Sequence, residues 1–164
     1  MVAGNNPRRG INRLLIAIIV LSVIGVSAAT YTATLHYKPD GTSFCNLGKS
    51  FNCDVVNKSA YATILGIPVA FIGILGYIVI VLTSILYLTE FKNFPVEDPL
   101  LIMSILGFGF SMYLTYIEAF VLHTWCVLCM TSATMITAIM VLSIRLAILE
   151  RKLHSKKDNT ATSA

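Results

Sequence analysis

The chain has 164 residues, of which 56% are hydrophobic and 12% are charged. Because a water-soluble domain carries about 25% charged residues, this composition excludes an ordinary soluble protein and predicts an integral membrane protein. We expect one small helical bundle without a separate soluble domain. The net charge of +4 comes mostly from the two ends of the chain, where basic flanks of membrane helices explain it better than nucleic-acid binding does.

Four long apolar stretches predict four membrane-spanning helices. A helix needs about 20 apolar residues to cross a hydrocarbon core of about 30 Å, and each stretch reaches that length. The predicted helices cover residues 14–35, 66–88, 100–122 and 125–149. The first stretch is longer than the h-region of a cleaved signal peptide, which has about 7–15 residues, so we expect it to be retained. The predicted fold class is an all-α integral membrane protein, a bundle of four transmembrane helices.

The segments before, between and after these helices carry most of the polar residues. Residues 1–13 form a short basic N-terminus, residues 36–65 form a turn-rich loop with two cysteines, and residues 150–164 form a basic tail that we expect to be disordered. The positive-inside rule places both termini in the cytoplasm and the cysteine-bearing loop outside it. The expected location is the plasma membrane, which the chain crosses several times.

Four cysteines lie on the same predicted side of the membrane. Cys45 and Cys53 belong to the loop, and Cys126 and Cys129 form a Cys-x-x-Cys pair where the fourth helix begins. Cysteines three positions apart on a helix have Cβ atoms about 5–6 Å apart, which is close to the separation that a disulfide requires. The unpaired N–H groups of a first helical turn also favour a thiolate. Outside the cytosol, disulfides formed by such residues can persist.

These two cysteine pairs admit three interpretations. In the first, a Cys45–Cys53 disulfide pins the loop of a non-catalytic membrane scaffold, and the other pair fills the core. In the second, four thiolates form the metal site of a binding or transport protein, with His36 and His123 as further ligands. In the third, thiol–disulfide exchange carries electrons from a soluble partner through the loop pair to the helix pair, and then to a lipid-soluble quinone. We favour the third, because it gives both pairs a role.

The order and spacing of several residues resemble the vitamin K epoxide reductase family. These residues are Cys45, Cys53, Ser59, the Gly66-Ile67-Pro68 start of the second helix, and Trp125-Cys126-x-x-Cys129 at the start of the fourth. The resemblance covers residues 11–149 and is strongest for the bacterial and archaeal disulfide-forming homologues. It implies a four-helix bundle around a quinone of the menaquinone or ubiquinone type. Many microbial members carry a fused thioredoxin-like domain that acts as redox partner. We expect no such domain here, so the resemblance implies a separate thioredoxin-like (DsbA-like) extracytoplasmic protein as redox partner. A monomer is compatible with this scheme.

The resemblance further implies a role for each cysteine. The thiols of the partner reduce the Cys45–Cys53 disulfide, and Cys53 then attacks Cys126. Cys129 remains as the thiolate that faces the quinone, and Ser59 is expected to position or polarise these cysteines. No residue is assigned to a metal in this scheme.

Seven residues are expected to contact the quinone. They are Ala62, Leu65, Phe71, Tyr113, Tyr116, Cys129 and Ala133. Ala62 and Ala133 fall where animal members of the family use Asn and Tyr to hydrogen-bond the quinone, so the resemblance favours simple quinone reduction over epoxide reduction. Glu118 lies about two helical turns before the Cys-x-x-Cys pair. We interpret it either as an acid that handles protons or as a structural acid that reaches the membrane surface.

Overall fold

A computed structural model describes residues 7–39, 41, 43, 45, 46, 51–89 and 97–162. Within these residues the α-helices are α1 (Pro7–Tyr37), α2 (Cys53–Asn57), α3 (Val69–Thr89), α4 (Glu97–Ile117) and α5 (Val127–Thr162). A 3₁₀ turn (Ala60–Ala62) and a short antiparallel hairpin of β1 (Thr63–Ile64) and β2 (Ile67–Pro68) connect α2 to α3. A π-helical turn (Glu118–Leu122) follows α4.

Four helical segments are long and apolar enough to cross a membrane, which confirms the predicted fold class. These spans are Arg9–Tyr37, Val69–Thr89, Pro99–Leu122 and Val127–Leu153. The chain is therefore an all-α, multi-pass membrane protein. Hydroxyl groups within the spans, such as those of Ser27 and Thr32, donate hydrogen bonds of 2.9 Å to carbonyl oxygens one turn earlier. Such internal bonds satisfy polar atoms where hydrocarbon replaces water.

The bundle is organised around α1, which packs against both α3 and α5, while α4 packs mainly against α5. The centre of its core is formed by Leu15, Ile18, Ile80, Ile139 and Leu146. At one point α1 and α3 approach closely, because a Cβ atom on Gly25 would lie only 2.5 Å from the Tyr77 ring. Glycine at this position lets the ring lie against the α1 backbone, as small residues do where membrane helices cross.

Both ends of the chain are more helical than the sequence predicts. Helix α1 begins at Pro7 rather than at residue 14, since proline is well tolerated at the first position of a helix. The tail from residue 150, which the sequence predicts to be disordered, is helical as far as Thr162. This segment contains no glycine or proline, and its lysine, arginine and leucine residues are good helix formers, so its charge does not end α5.

Residues 66–68, which the sequence predicts to begin the second span, belong instead to the hairpin. Leu65 and Gly66 have φ angles of 52° and 81°, the left-handed values that a two-residue hairpin turn of the primed type requires. Because left-handed residues do not continue a right-handed helix, α3 begins only at Val69.

The connections that carry the four cysteines meet at one end of the bundle, which we call the cysteine end. The loop is tied to the start of α5, because the Asn52 N–H donates to the Trp125 carbonyl oxygen at 3.1 Å. Phe51 pairs with Trp125 in an isolated parallel bridge. The Asn52 side chain also caps α2 by accepting the Val55 N–H at 3.1 Å. These contacts bring the two cysteine-bearing segments side by side.

Candidate active site

Cys126 and Cys129 lie at the beginning of α5. Cys126 directly precedes the first helical residue, and its Sγ accepts the Cys129 N–H at 3.4 Å, as an N-cap side chain does. Cys126 is buried and Cys129 is half-buried, and both are free thiols. A hydrogen bond from the Cys129 side chain lowers the pKa of Cys126. The N–H groups of Leu128 and Cys129 act in the same direction, while burial opposes them.

Glu118 fixes the chain reversal that precedes this pair. It is 3% exposed and is the first residue of the π-helical turn, a rare structure that occurs often at functional sites. Its carbonyl oxygen accepts the Thr124 N–H at 3.2 Å, and its Oε2 accepts the Cys126 N–H at 3.1 Å. A carboxyl oxygen of Glu118 and the sulfurs of Cys126 and Cys129 all lie within 4.8 Å of one another. The acid is therefore part of the site and does not reach out to the membrane surface.

Cys45 and Cys53 form a disulfide, with their Cα atoms 5.9 Å apart. Both residues are buried although they lie in the connection between α1 and α3, where Cys53 begins α2. They share a hydrophobic cluster with Cys126, Leu35 and Leu128. The structure thus brings an oxidised loop pair and a reduced helix pair together in one apolar cluster.

Asp54 organises the loop around this disulfide. Its carboxylate accepts hydrogen bonds from the Gly41 N–H at 2.8 Å, from Asn46 Nδ2 at 2.7 Å and from the Ser43 hydroxyl. Burial raises the pKa of Asp54, but these hydrogen bonds and the charge of Lys58 outweigh burial, so the pKa lies below its ordinary value. The ionised carboxylate therefore holds backbone and side chains on both sides of the first loop cysteine.

A cavity of about 380 Å³ adjoins the helix pair. Side chains from α1, α3, α4 and α5 line it, and most of them are apolar. Its polar lining includes Cys129, Glu118, Ser132 and His36. Tyr77 also lines the cavity, and its hydroxyl donates to the Ser132 carbonyl oxygen at 2.9 Å. Largely apolar walls with a few polar groups are typical of a binding site for an apolar small molecule.

The structure brings only part of the predicted quinone contacts to this cavity. Ala62 and Cys129 line it. The other five residues do not line it: Leu65, Phe71, Tyr113, Tyr116 and Ala133. Leu65 is 98% exposed because it forms the tip of the hairpin, and the three aromatic residues lie on exposed outer faces of their helices. Ala133 of α5 lies beside the helix face whose residues Cys129, Ser132 and Ile136 line the cavity.

Ser59 lines the cavity, but its hydroxyl donates to the Val56 carbonyl oxygen at 2.8 Å. In this arrangement it closes the turn after α2 and makes no described hydrogen bond to a cysteine. Most of the cavity wall does not follow from the sequence, including the polar residues Asn57, Tyr77 and Ser132. A usable signal exists for Tyr77 and Ser132, because polar groups in the middle of an apolar span need partners inside the bundle.

The metal site of four thiolates is not supported, because Cys45 and Cys53 are bonded to each other. His36 Nδ1 lies 2.7 Å from a backbone carbonyl oxygen of the loop, and His123 is exposed. Over the described parts of the chain, the group with ligand-like spacing is the helix pair together with Glu118, and it includes neither histidine.

A membrane bundle that holds a disulfide and a dithiol side by side, next to an apolar cavity, has the architecture of a membrane thiol oxidoreductase. The model of the vitamin K epoxide reductase family matches residues 16–144, which is most of the chain. The chain belongs to the vitamin K epoxide reductase family, as the pattern of cysteines predicts, and is an oxidoreductase. This family is associated in general with quinones and thioredoxin-like partners. The comparison with curated proteins gave no match.

Proposed function

We propose that the protein is a quinone-linked thiol oxidase that reoxidises a separate thioredoxin-like protein and thereby supports disulfide bond formation. The observation that carries this proposal is the position of Cys129, which belongs both to the reduced helix pair and to the wall of the apolar cavity. A thiol with this access can pass electrons to a molecule in the cavity. A purely structural cysteine would need no such access.

A quinone of the menaquinone or ubiquinone type fits the residues of this cavity. Its ring and tail are apolar, as most of the wall is, and Cys129 in the wall would offer the thiol that gives up electrons. Gly73 and Gly76 of α3 and Ala62 line the same cavity and would leave room for a ring, because they carry small side chains or none. A bound quinone would supply the acceptor for two electrons and two protons.

The cysteines exchange electrons in a fixed order in this proposal. A thiolate of the partner attacks the Cys45–Cys53 disulfide, and the second thiol of the partner then displaces the loop, so that the partner leaves as a disulfide and the loop as a dithiol. The Cys53 thiolate next attacks Cys126 in the oxidised Cys126–Cys129 pair, which forms the Cys53–Cys126 mixed disulfide and releases Cys129 as a thiolate. Attack by Cys45 on this mixed disulfide re-forms the loop disulfide and releases Cys126 as a thiolate. Because a thiol with a lower pKa leaves faster, the lowered pKa of Cys126 favours this step. An oxidised loop pair beside a reduced helix pair is the arrangement expected after it.

The net reaction converts the partner dithiol and a quinone into a partner disulfide and a quinol. In this scheme both termini lie in the cytoplasm, and all four cysteines lie outside it at the plasma membrane. A membrane-impermeant maleimide checks this orientation in a Leu65→Cys variant, because Leu65 is 98% exposed at the cysteine end and its replacement is expected to be labelled in intact cells. Labelling only after the cells are opened would contradict it.

Anaerobic quinone reduction tests the proposed function. With a reduced thioredoxin-like protein as electron donor, the wild-type protein is expected to reduce a menaquinone- or ubiquinone-type quinone. The variants Cys53→Ala, Cys126→Ala and Cys129→Ala are expected to lose this activity. Thr134→Ser serves as the control, because Thr134 is an exposed residue of α5. If the wild-type protein reduces neither type of quinone, the proposed function is wrong.

A further inference from the structure

Glu118 is placed to do more than hold the backbone of Cys126. Its carboxyl group lies within 4.8 Å of the sulfurs of both Cys126 and Cys129, and it lines the cavity on the same side. Among the residues that the structure describes, it is the only acidic side chain in the cavity wall. The carboxyl group therefore connects the dithiol with the space where an electron acceptor would bind.

Capping alone does not explain an acid at this position. Burial of an ionisable group inside a membrane span is costly. The amide oxygen of a glutamine would accept the same Cys126 N–H without that cost. Only the acid can hold and release a proton. Such a group is useful here because quinone reduction consumes two protons, whereas Cys126 is fully buried from water.

We propose that Glu118 is a catalytic residue that takes up one of the two protons given up by the thiols of Cys45 and Cys53 when the loop disulfide re-forms, holds it while the helix pair stays reduced, and delivers it into the cavity. This inference rests on the proposed function. In the reduced pair, Cys126 is a thiolate, Cys129 keeps its thiol proton, and Glu118 is a neutral carboxylic acid. When the sulfur–sulfur bond forms, the S–H bond of Cys129 and the O–H bond of Glu118 break. Two electrons and two protons then convert the quinone to a quinol, and Glu118 remains as a carboxylate.

The contacts of the site support this distribution of protons. The Cys129 side chain and the Cys129 N–H both donate to the Cys126 sulfur, which stabilises a thiolate there. A second negative charge on Glu118 would be unfavourable so close to this thiolate, since their atoms lie within 4.8 Å. A single shared negative charge over the sulfur and the carboxyl group is therefore the favourable arrangement. The carboxylate of Glu118 forms only when the new disulfide has removed the negative charge of the Cys126 thiolate.

The kinetic test compares Glu118→Gln with Glu118→Asp in the full-length protein. Glutamine keeps an acceptor for the Cys126 N–H but holds no transferable proton. We expect Glu118→Gln to lower kcat for menaquinone reduction by about 100-fold, the usual loss when a general acid is removed. The KM for the quinone should stay unchanged. Aspartate restores an ionisable group, so we expect Glu118→Asp to recover activity to within about tenfold of wild type.

Glu150→Gln is the matched control for this comparison. Glu150 is a second buried glutamate, 4% exposed, in α5 well beyond the cavity residues of that helix. We expect Glu150→Gln to keep the wild-type kcat. If Glu118→Gln also keeps it, or raises only the KM, the proton-holding role is wrong and Glu118 only positions Cys126. Failure of the wild-type protein itself would instead refute the proposed function.

Infrared redox difference spectra provide a second test that needs neither quinone nor a Glu118 variant. In protein labelled with isotopically substituted glutamate, the reduced form is expected to show a carboxylic acid C=O band that vanishes when a chemical oxidant closes the Cys126–Cys129 disulfide. The band should remain in Glu150→Gln. A reduced spectrum without a label-sensitive carboxylic acid band would overturn the inference, even if the protein reduces quinones.

Discussion

The two cysteine pairs belong to one hydrophobic cluster, but different kinds of structure hold them. The Cys45–Cys53 pair lies in a loop whose backbone is arranged by hydrogen bonds to the Asp54 carboxylate. The other pair lies in the first turn of a long helix and is fixed by Glu118. Loop hydrogen bonds can be exchanged for water without opening the bundle, whereas the helix pair cannot move unless α5 also changes. The difference suits a pair that meets a soluble partner and a pair that stays beside the cavity.

The largest expected difference between the pairs appears when the cavity-facing thiol is removed. In Cys129→Ala, quinone reduction should fall to background, since Cys126 has no second sulfur with which to close a disulfide. The Cys126 thiolate can still attack Cys53 in the loop disulfide and release Cys45 as a thiolate, so a Cys53–Cys126 adduct should form and accumulate. Peptide mapping after alkylation under non-reducing conditions detects it. Thr134→Ser should change neither result. Normal quinone reduction by Cys129→Ala would contradict the role assigned to this residue.

Loss of the Asp54 carboxylate should weaken the loop pair alone. Asp54→Ala leaves three hydrogen-bond donors without their acceptor, two of which can turn to water. We expect the loop to lose about 2 kcal/mol, which makes the Cys45–Cys53 disulfide about 30-fold easier to reduce. Dithiothreitol titration with mass spectrometry of alkylated peptides measures each pair separately. Asp54→Asn keeps one acceptor oxygen, so it should change the reduction of the loop disulfide by less. An equal change in the reduction of both cysteine pairs would contradict the claim that Asp54 supports the loop pair alone.

Acid should likewise affect the loop before the helix pair. Because the pKa of Asp54 is lower in the folded loop than in an unfolded chain, its contribution to stability is complete above about pH 4. The contribution is lost as the pH falls through the lower, folded value. Hydrogen exchange, corrected for intrinsic rates, should show protection of the Gly41 N–H that falls only below about pH 4. In Asp54→Asn this pH dependence should be absent, and a loss of protection already between neutral and weakly acidic pH would contradict the assignment.

The smallest expected effect is a loss of stability when the hydrogen bond between Tyr77 and Ser132, next to the helix pair, is removed. Tyr77→Phe removes the hydrogen bond to Ser132, which lies one turn beyond Cys129. We expect a loss of about 1 kcal/mol in stability and a slightly lower thermal midpoint, with the loop disulfide unchanged. Tyr113→Phe is the control, since Tyr113 is 52% exposed. Equal effects of the two substitutions would show that the hydrogen bond adds nothing.

The bundle and the meeting of the four cysteines could be predicted because membrane spans have a simple signal. Long uncharged runs mark the helices, and their number decides which connections share an end. The role of Glu118 was open because its contact with Cys126 depends on a π-helical turn and on a left-handed residue, His123, with φ 48°. Neither feature follows from local sequence, since packing of α4 on α5 decides where the chain reverses.

The cavity wall was harder to predict for a different reason. In a soluble helix the polar face marks the outside, but both faces of a membrane span are apolar. Phe71 and Tyr113 therefore look like Phe110 in the sequence, although only Phe110 lines the cavity. The α5 tail shows a related difficulty, because its charges mark the end of the membrane and not the end of the helix at Thr162.

Tyr77 connects three helices at the wall of the cavity. Its ring lies against Gly25 of α1, and its hydroxyl donates a hydrogen bond to Ser132 of α5. The side chain of this α3 residue therefore extends across the bundle. Further from the cysteine end than Tyr77, the core is filled by Leu15 and Ile139. In the proposed reaction, the sulfurs and the acid would exchange electrons and protons with the quinone at the cysteine end of the bundle. Such a reaction moves no net charge across the bilayer, so a transmembrane voltage should neither drive it nor oppose it.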